Sequence, residues 1–519
     1  MSHEAFQQAI FSEPDDDAVR LIYADWLDEN GEPIWAEFIR AQCELATMTP
    51  ASDQYVSLKE REEELEMLLP EDSALTSYLD HNLDELDLAS AYRHSYRRGF
   101  LSTCTIEAFE PEELTESQLH QLCDRLDTII AQSAIQGLDF DGFPATHFTT
   151  ILQRDLMKSA RELTVQFWDN FLDEEDTWTD YAEVIANCPN LSQVFKLKLD
   201  TPLAGDGLRA LAFSPHLKKV KELELTPTDV SPEGFGEFAR SPLAKQLGSF
   251  ICGYTGLSSG HLEGLTREVW PLLHSLVMDW NLDQQAIQVL ARSSSFPNLA
   301  SFRLRSSQLE FHDVELLCQN ESWQLRSLDL AYCDLRSRDA RLLAQSPVVK
   351  QLHTLCLASN NIGSQGLAAL ARSQHLTQLR RLDLSFNSLS ASKLQALMRG
   401  DALQNLTSLD LNHGGEGSSA TEGTALMKVL ELPRIRHLAL AAIPLGARGM
   451  QALAKKEWFQ NIRVLNLTSC RIGKSGAEAL LEAVDPAQLV RLYLYDNKIP
   501  PRLRDRFREQ LGSERVIIE

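Results

Sequence analysis

No run in this chain of 519 residues approaches the roughly 18–20 consecutive apolar residues that a membrane-spanning helix needs, so no membrane association is expected. Positive charge is scarce: 49 Lys and Arg stand against 74 Asp and Glu, a formal net charge of −25. That balance repels nucleic acid and anionic lipid, so neither is expected as a partner. The nine cysteines form no CxxC pair, their number is odd, and several occupy positions where a buried apolar residue belongs. They read as reduced thiols rather than a disulfide framework, which implies a cytoplasmic location. The opening residues, Met1-Ser2-His3-Glu4, lack a basic stretch followed by an apolar core and are not expected to act as a signal peptide.

Catalytic signatures are equally thin. No HxxxH or HExxH pair offers zinc ligands. Gly473-Lys474-Ser475 looks like the end of a phosphate-binding loop, but the glycine required five positions before the Gly-Lys pair is replaced by Thr468. His413-Gly414-Gly415 looks like an oxyanion loop, yet no GxSxG nucleophile elbow accompanies it. Asp15, Asp16 and Asp17 lack the alternating spacing and closing glutamate of a calcium loop, and they suit a helix N-terminus better. No catalytic, cofactor or metal residues are expected, nor a small-molecule substrate, and the chain reads as a non-enzyme.

What the chain does have is a period. Segments of the form L-x-x-L-x-L begin at Val220, Leu247, Leu273, Leu299, Leu325, Leu352, Leu379, Leu406, Ile435, Ile462 and Leu489, at intervals of 26–29 residues. LRSLDLAYCDL (325–335), LHTLCLASNNI (352–362), LRRLDLSFNSL (379–389) and LVRLYLYDNKI (489–499) are the clearest copies. Each copy continues into Leu, Ala and Met at helical spacing behind a Gly or Ser, as in GSQGLAALARS (363–373) and GKSGAEALLEA (473–483). Each unit therefore reads as a short strand, a turn and a helix. A single unit cannot exclude water from its apolar face, whereas stacked units share one core.

This pattern resembles the leucine-rich repeat, in particular the long ribonuclease-inhibitor-like class. The resemblance implies an α/β solenoid, a horseshoe with a parallel inner sheet and outer helices. It also implies a turn residue, often Asn, three positions after the last strand Leu. Asn281, Asn360, Asn387 and Asn497 stand there, with Cys333 and Cys470 as substitutes. Upstream, VFKLKL (194–199) keeps step with Val220, and LSTCTI (101–106), IQGLDF (135–140) and ARELTV (160–165) read as degenerate repeats. The stretch from Pro500 to Glu519, with Arg502, Arg504, Arg506 and Arg508 around Leu503, Phe507 and Leu511, reads as a polar cap.

The negative charge is concentrated at the other end. Residues 1–90 hold 23 Asp/Glu and 4 Lys/Arg, a net of −19, whereas residues 131–519 hold 44 and 41. Residues 1–70 read as helices, with apolar faces such as Val19, Ile22, Tyr23, Trp26 and Leu27 and a stop at Gly31. EAFQQAIFSEPDDDAVRLIYADWLDENGEP (4–33), AEFIRAQCELA (36–46) and YRRGFLSTCTIEA (96–108) resemble the bacterial repeat-companion domain. That resemblance implies a small all-α module ahead of a repeat array, with no biochemical function attached. The expected organisation is an acidic helical module at 1–95, degenerate repeats at 96–193, regular repeats at 194–499 and a cap at 500–519.

Counting each unit from its first Leu, positions three, five, seven and eight are expected on the inner face of the sheet. Aromatic residues recur at position eight, including Tyr254, Trp280, Tyr332 and Phe386. Charged residues join them at Arg303, Arg305, Asp329, Asp383 and Asp410, and Arg491, Tyr493 and Tyr495 form a second group. Exposed aromatics are what binding hot spots use. The expected function is a protein–protein interaction scaffold or adaptor that binds a protein on this face. The alternative is a dedicated inhibitor or regulator of a partner enzyme, which the ribonuclease-inhibitor-like resemblance implies.

Overall fold

The structure, a computed structural model, describes residues 2–13, 16–48, 53–69, 89–97, 100–108, 114–131, 133, 135–166, 180–201, 203–226, 230–253, 257–279, 282–413 and 420–518. It divides into two compact units, Met1–Thr255 with Gly260–Leu273, and Gly256–Ser259 with His274–Glu519.

The first unit opens with four helices, His3–Ser12, Asp17–Glu29, Pro33–Thr47 and Asp53–Glu66. Local chemistry sets their ends. Ser2 and Asp16 accept from the backbone N–H groups of Ala5 (3.3 Å) and Ala18 (2.8 Å), so the aspartate run caps a helix as expected; Asp15 lies outside the described residues. Gly31 takes φ +90°, a left-handed conformation that costs glycine little, and the following N–H of Glu32 returns to Leu27 O at 2.9 Å. Phe6, Ile10, Tyr23, Ala24, Leu27, Ala36, Ile39 and Cys43 form a common core. Phe100, from the second strand of the sheet, belongs to this same core. All four basic residues of this acidic segment are engaged. Arg40 bridges Asp25 and Asp28 (both 2.7 Å), and Arg61 bridges Glu37 (2.7 Å) and Glu64 (3.2 Å). Lys59 meets Glu62 at 2.5 Å, and Arg20 donates to Asp16 O while its guanidinium lies 5.6 Å from the Phe100 ring centre.

The strands of this unit are β1 (Ala89–Arg97), β2 (Phe100–Ala108), β3 (Gly137–Asp141), β4 (Glu162–Gln166), β5 (Lys196–Asp200), β6 (Glu222–Leu225) and β7 (Ser249–Cys252). β1 and β2 pair antiparallel, and β2 through β7 then pair in parallel, each with the next. The irregular strand-like pieces of the sequence are thus β2, β3 and β4. In β4 and β5 burial alternates, with Leu163, Val165, Leu197 and Leu199 in the core. Phe238, Phe250 and Trp270 fill the last layer, the latter two rings stacked 5.6 Å apart.

The second unit carries the regular repeats. Its strands are β8 (Ser275–Asp279), β9 (Ser301–Arg305), β10 (Ser327–Asp329), β11 (Thr354–Cys356), β12 (Arg381–Asp383), β13 (Ser408–Asp410), β14 (His437–Ala439), β15 (Val464–Asn466), β16 (Arg491–Tyr493) and β17 (Val516–Ile517). Each pairs in parallel with the next. A helix follows every strand from β8 to β16, and the Leu of strand and helix are buried together, for example Leu382, Leu384, Leu394 and Leu397. Full burial of one such side chain is worth about 1.5–3 kcal/mol. The helix Pro501–Leu511 buries Leu503, Phe507 and Leu511, and β17 pairs with β16 behind it. Arg504 and Arg508 donate to the carbonyls of Ile499 and Ile518, so two of the expected cap arginines tie this end together.

Candidate partner-binding face

In strands β10, β12, β13 and β16 of the second unit, the side chains at positions three and five are half-buried on the side of the sheet away from the core, while the Leu between them is buried. Strand hydrogen bonding continues past the strands proper. The N–H at position eight donates to the position-seven carbonyl of the next repeat, as in Tyr332 N to Ala358 O (3.0 Å), Phe386 N to Asn412 O (2.9 Å) and His413 N to Ala441 O (2.8 Å). The backbone under the aromatic positions is therefore fixed.

That backbone is also left-handed. Ser306, Tyr332, Ser359, Phe386, His413, Ala442, Ser469 and Asp496, the position-eight residue of eight repeats, have φ between 51° and 59°. Such a conformation costs a residue other than glycine about 1 kcal/mol or more. It belongs to the turn and not to any one side chain. Tyr332 is 57% exposed and Phe386 48% exposed, and His413 is exposed as well. The Phe386 and His413 rings stack with centroids 4.4 Å apart and planes at 11°.

Position five has a second task. Asp329, Asp383, Asp410 and Asn466 each accept, through Oδ1, from the N–H two residues on, at 2.8–3.1 Å. This Asx turn ends the strand and leaves the other side-chain atom for neighbours. For Asp329 that neighbour is Arg305, at 2.5 Å, and one strand away Arg303 pairs with the position-seven Asp279 at 2.8 Å. The hydrogen bond to Asp329 raises the Arg305 pKa above its ordinary value. Asp383 and Asp410 are register partners on β12 and β13. Burial and the adjacent Asp383 push Asp410 up to about 6, against an opposing hydrogen bond from the backbone of Asn412.

Beneath the face runs a ladder of turn side chains. Asn360 donates through Nδ2 to Leu330, Leu357 and Ala358 carbonyls (2.9–3.0 Å), while its Oδ1 accepts from Cys333 N and Leu335 N. Asn387 and Asn497 repeat this arrangement. Cys333 and Cys470 replace it with thiol contacts to the Leu304 and Leu440 carbonyls, both at 3.1 Å, and burial pushes both thiols up to about 12. Asn281 lies outside the described residues. Gly473 is part of the same ladder: its N–H donates to Asn497 O at 3.2 Å, which leaves the phosphate-loop resemblance without its free amide. Gly414 and Gly415 lie outside the described residues.

A family model described as Leucine Rich repeat matches residues 351–371 and 460–481, each spanning a strand and ending in the helix that follows it. The chain carries leucine-rich repeats. No curated protein matches it. Among solved structures, a chain of the crystal structure of the Rad7 and Elc1 complex in yeast is similar over 88% of this chain and 96% of that one, at 16% identity and a TM-score of 0.43.

On the repeat face the expected site residues fall into distinct groups. Tyr254 and Trp280 lie outside the described residues. Arg303, Arg305 and Asp329 are neutralised within the protein. Asp383, Phe386, Asp410 and Tyr332 lie on consecutive or near-consecutive repeats, with His413 beside them. Tyr493 is half-buried and Tyr495 is 47% exposed, while Arg491 donates to Glu514 O at 2.5 Å at the β17 end. Position seven differs from expectation in four repeats, though not at Arg305 or Tyr495. Ala331, Ala358, Ser385 and Ala441 are buried there, because the chain is already turning and the side chain faces the neighbouring repeats, as Ala331 and Ala358 do around Cys356. Sequence reasoning missed His413 as a stacking partner and the Asx role of position five. The recurrence of Asp or Asn at that position in four repeats was the available signal. Among the described residues no group of three or more His, Cys, Asp or Glu is arranged to hold a metal ion, and no helix is long and apolar enough to cross a membrane.

Proposed function

We propose that this chain is a protein–protein interaction scaffold that binds a protein partner on the open face of its regular repeats, centred on Tyr332, Phe386 and His413. One observation carries the reading. The turn demands a left-handed residue at position eight, and serine, alanine or aspartate meets that demand in other repeats. Tyr332 and Phe386 pay the same conformational cost while leaving about half of their surface in water, so the turn itself does not require their size. Their backbone is pinned on both sides, which lowers the ordering entropy that association would otherwise cost. A row of strands about 4.8 Å apart presents an extended surface that suits a protein segment better than a small molecule, which favours an enclosed pocket. The acidic helical head acts as an N-terminal cap, since its core is completed by Phe100 of the sheet.

The experiment is site-specific photo-cross-linking in the native cell, with a photoreactive residue at position 332, 386 or 365. Gln365 sits on the helix Ser364–Ala371, on the opposite side of the repeat. Discrete cross-linked proteins from 332 and 386, and none from 365, support the reading. Cross-links from 365 alone, or from no position, overturn it.

A further inference from the structure

The carboxylates of the face are not treated alike, and the difference follows position seven. Asp329 is met by Arg305, which stands at position seven of the preceding repeat and reaches diagonally across the strands. The residues in the same place before Asp383 and Asp410 are Ala358 and Ser385, which are small and carry no charge. The register neighbours on the outer sides, Cys356 and Ala439, supply no cation either. Asp383 Oδ2 accepts from the Cys356 thiol (3.4 Å) and Asp410 Oδ2 from the Asn412 amide (3.2 Å), and among the described residues neither carboxylate is seen in an ion pair of the kind that Asp329 makes. Two adjacent, half-buried carboxylates thus stand where the protein elsewhere inserts a guanidinium. Beside them, three residues further along each chain, is the flat Phe386–His413 ring pair.

We propose that Asp383 and Asp410, walled by Phe386 and His413, form a seat for an arginine side chain of an extended basic segment of the partner. This rests on the function proposed above and names the chemistry of its partner. A guanidinium offers five N–H donors in a planar fork, enough to serve carboxylates on neighbouring strands, and it stacks on aromatic faces; lysine offers a point charge and no plane. The small side chains of Ala358 and Ser385 leave the room that Arg305 fills two and three repeats earlier. Burial and mutual repulsion hold Asp410 up near 6, a condition that an incoming cation relieves. The net charge of −25 adds long-range attraction for a basic segment but no selectivity within it.

The probe is a fluorescein-labelled nona-arginine peptide, titrated by anisotropy against the full chain at physiological salt, with nona-lysine alongside. Asp383→Asn with Asp410→Asn is the principal variant. Asparagine fits this turn, because Asn466 makes the same Asx bond in β15. Glu482→Gln with Glu509→Gln, both exposed on helices, removes the same charge elsewhere. Ser385→Arg fills the seat from within, as Arg305 does for Asp329, and a melt on each variant confirms folding. Expected are at least tenfold weaker nona-arginine binding for the paired Asp variant and for Ser385→Arg, a loss within twofold for the Glu control, and tighter binding of arginine than lysine. Equal losses in the Asp and Glu variants, or no preference for arginine, overturn the proposal. Retained cross-linking from position 386 in that case leaves the partner-binding reading standing, so the two fail separately.

Discussion

Replacing Asn387 by Ala tests the turn ladder that holds the binding face in place. Asn387 has no exposed surface, and it makes four hydrogen bonds: Nδ2 to the carbonyls of Leu357 (2.7 Å), Leu384 (3.2 Å) and Ser385 (3.2 Å), and Oδ1 from Ile362 N (3.2 Å). Not all four partners are orphaned by the change. Leu357 O keeps its bond from Asn360 Nδ2, and Ser385 O keeps its bond from Ser359 N. Leu384 O and Ile362 N lose their partner. Two buried unsatisfied groups at about 1–3 kcal/mol each give an expected loss of about 2–6 kcal/mol. Denaturant unfolding of the full chain, followed by circular dichroism, measures it. Asn387→Cys should recover little, because the carbonyls that Cys333 contacts correspond to those of Leu357 and Ser385, which keep other partners, and a thiol offers Ile362 N only a weak acceptor. A loss below about 1 kcal/mol for Asn387→Ala would refute the argument that these side chains carry buried turn bonds.

Three further outcomes are expected. Asp410 has its folded pKa raised to about 6 from an ordinary 3.8, so its contribution to stability is present below about 4 and is lost as pH rises through 6. Asp410→Asn should therefore melt higher than the parent above pH 6, by about 1 kcal/mol after allowance for its partial exposure, and the two should converge below pH 4; an unchanged difference across that window contradicts the assignment. Truncation of the chain to begin near residue 98 removes the helices that cover Phe100 and should yield an aggregating protein, whereas a soluble truncated protein with its sheet signal intact would show the head to be a separable module. Eight of the nine cysteines are buried and Cys318 is half-buried with its thiol pushed up to about 12, so an aromatic disulfide reagent should label the native protein slowly and all nine thiols after denaturation.

The repeats were legible because their signal is redundant. The period appears in the strand Leu residues, in the helix Leu and Ala residues, and in Asn360, Asn387 and Asn497, and each of these is dictated by the same buried slab. The start of the chain was legible through caps, since Ser2, Asp16 and Gly31 act within one turn of where they stand. The antiparallel pairing of β1 with β2 was not foreseen, because β1 carries no copy of the repeat pattern. On the candidate face, sequence singled out Tyr332 and Phe386, which are exposed, but not the division of the charges around them. Whether Asp329 or Asp383 is free depends on a residue one repeat earlier, Arg305 or Ala358, and on a diagonal reach that linear spacing does not encode. The stacking of His413 on Phe386 depends likewise on the left-handed turns that aim both rings the same way.

The central claim is that the large side chains at position eight serve binding and not the fold. The direct measurement pairs a thermal melt with a binding titration against a cross-linked partner for Tyr332→Ala, Phe386→Ala and the helix-side control Gln365→Ala. The account predicts that each aromatic truncation weakens binding by about 2 kcal/mol while the melting temperature stays near that of the parent and the control binds normally. Melting temperatures that collapse while binding per folded molecule holds would contradict it.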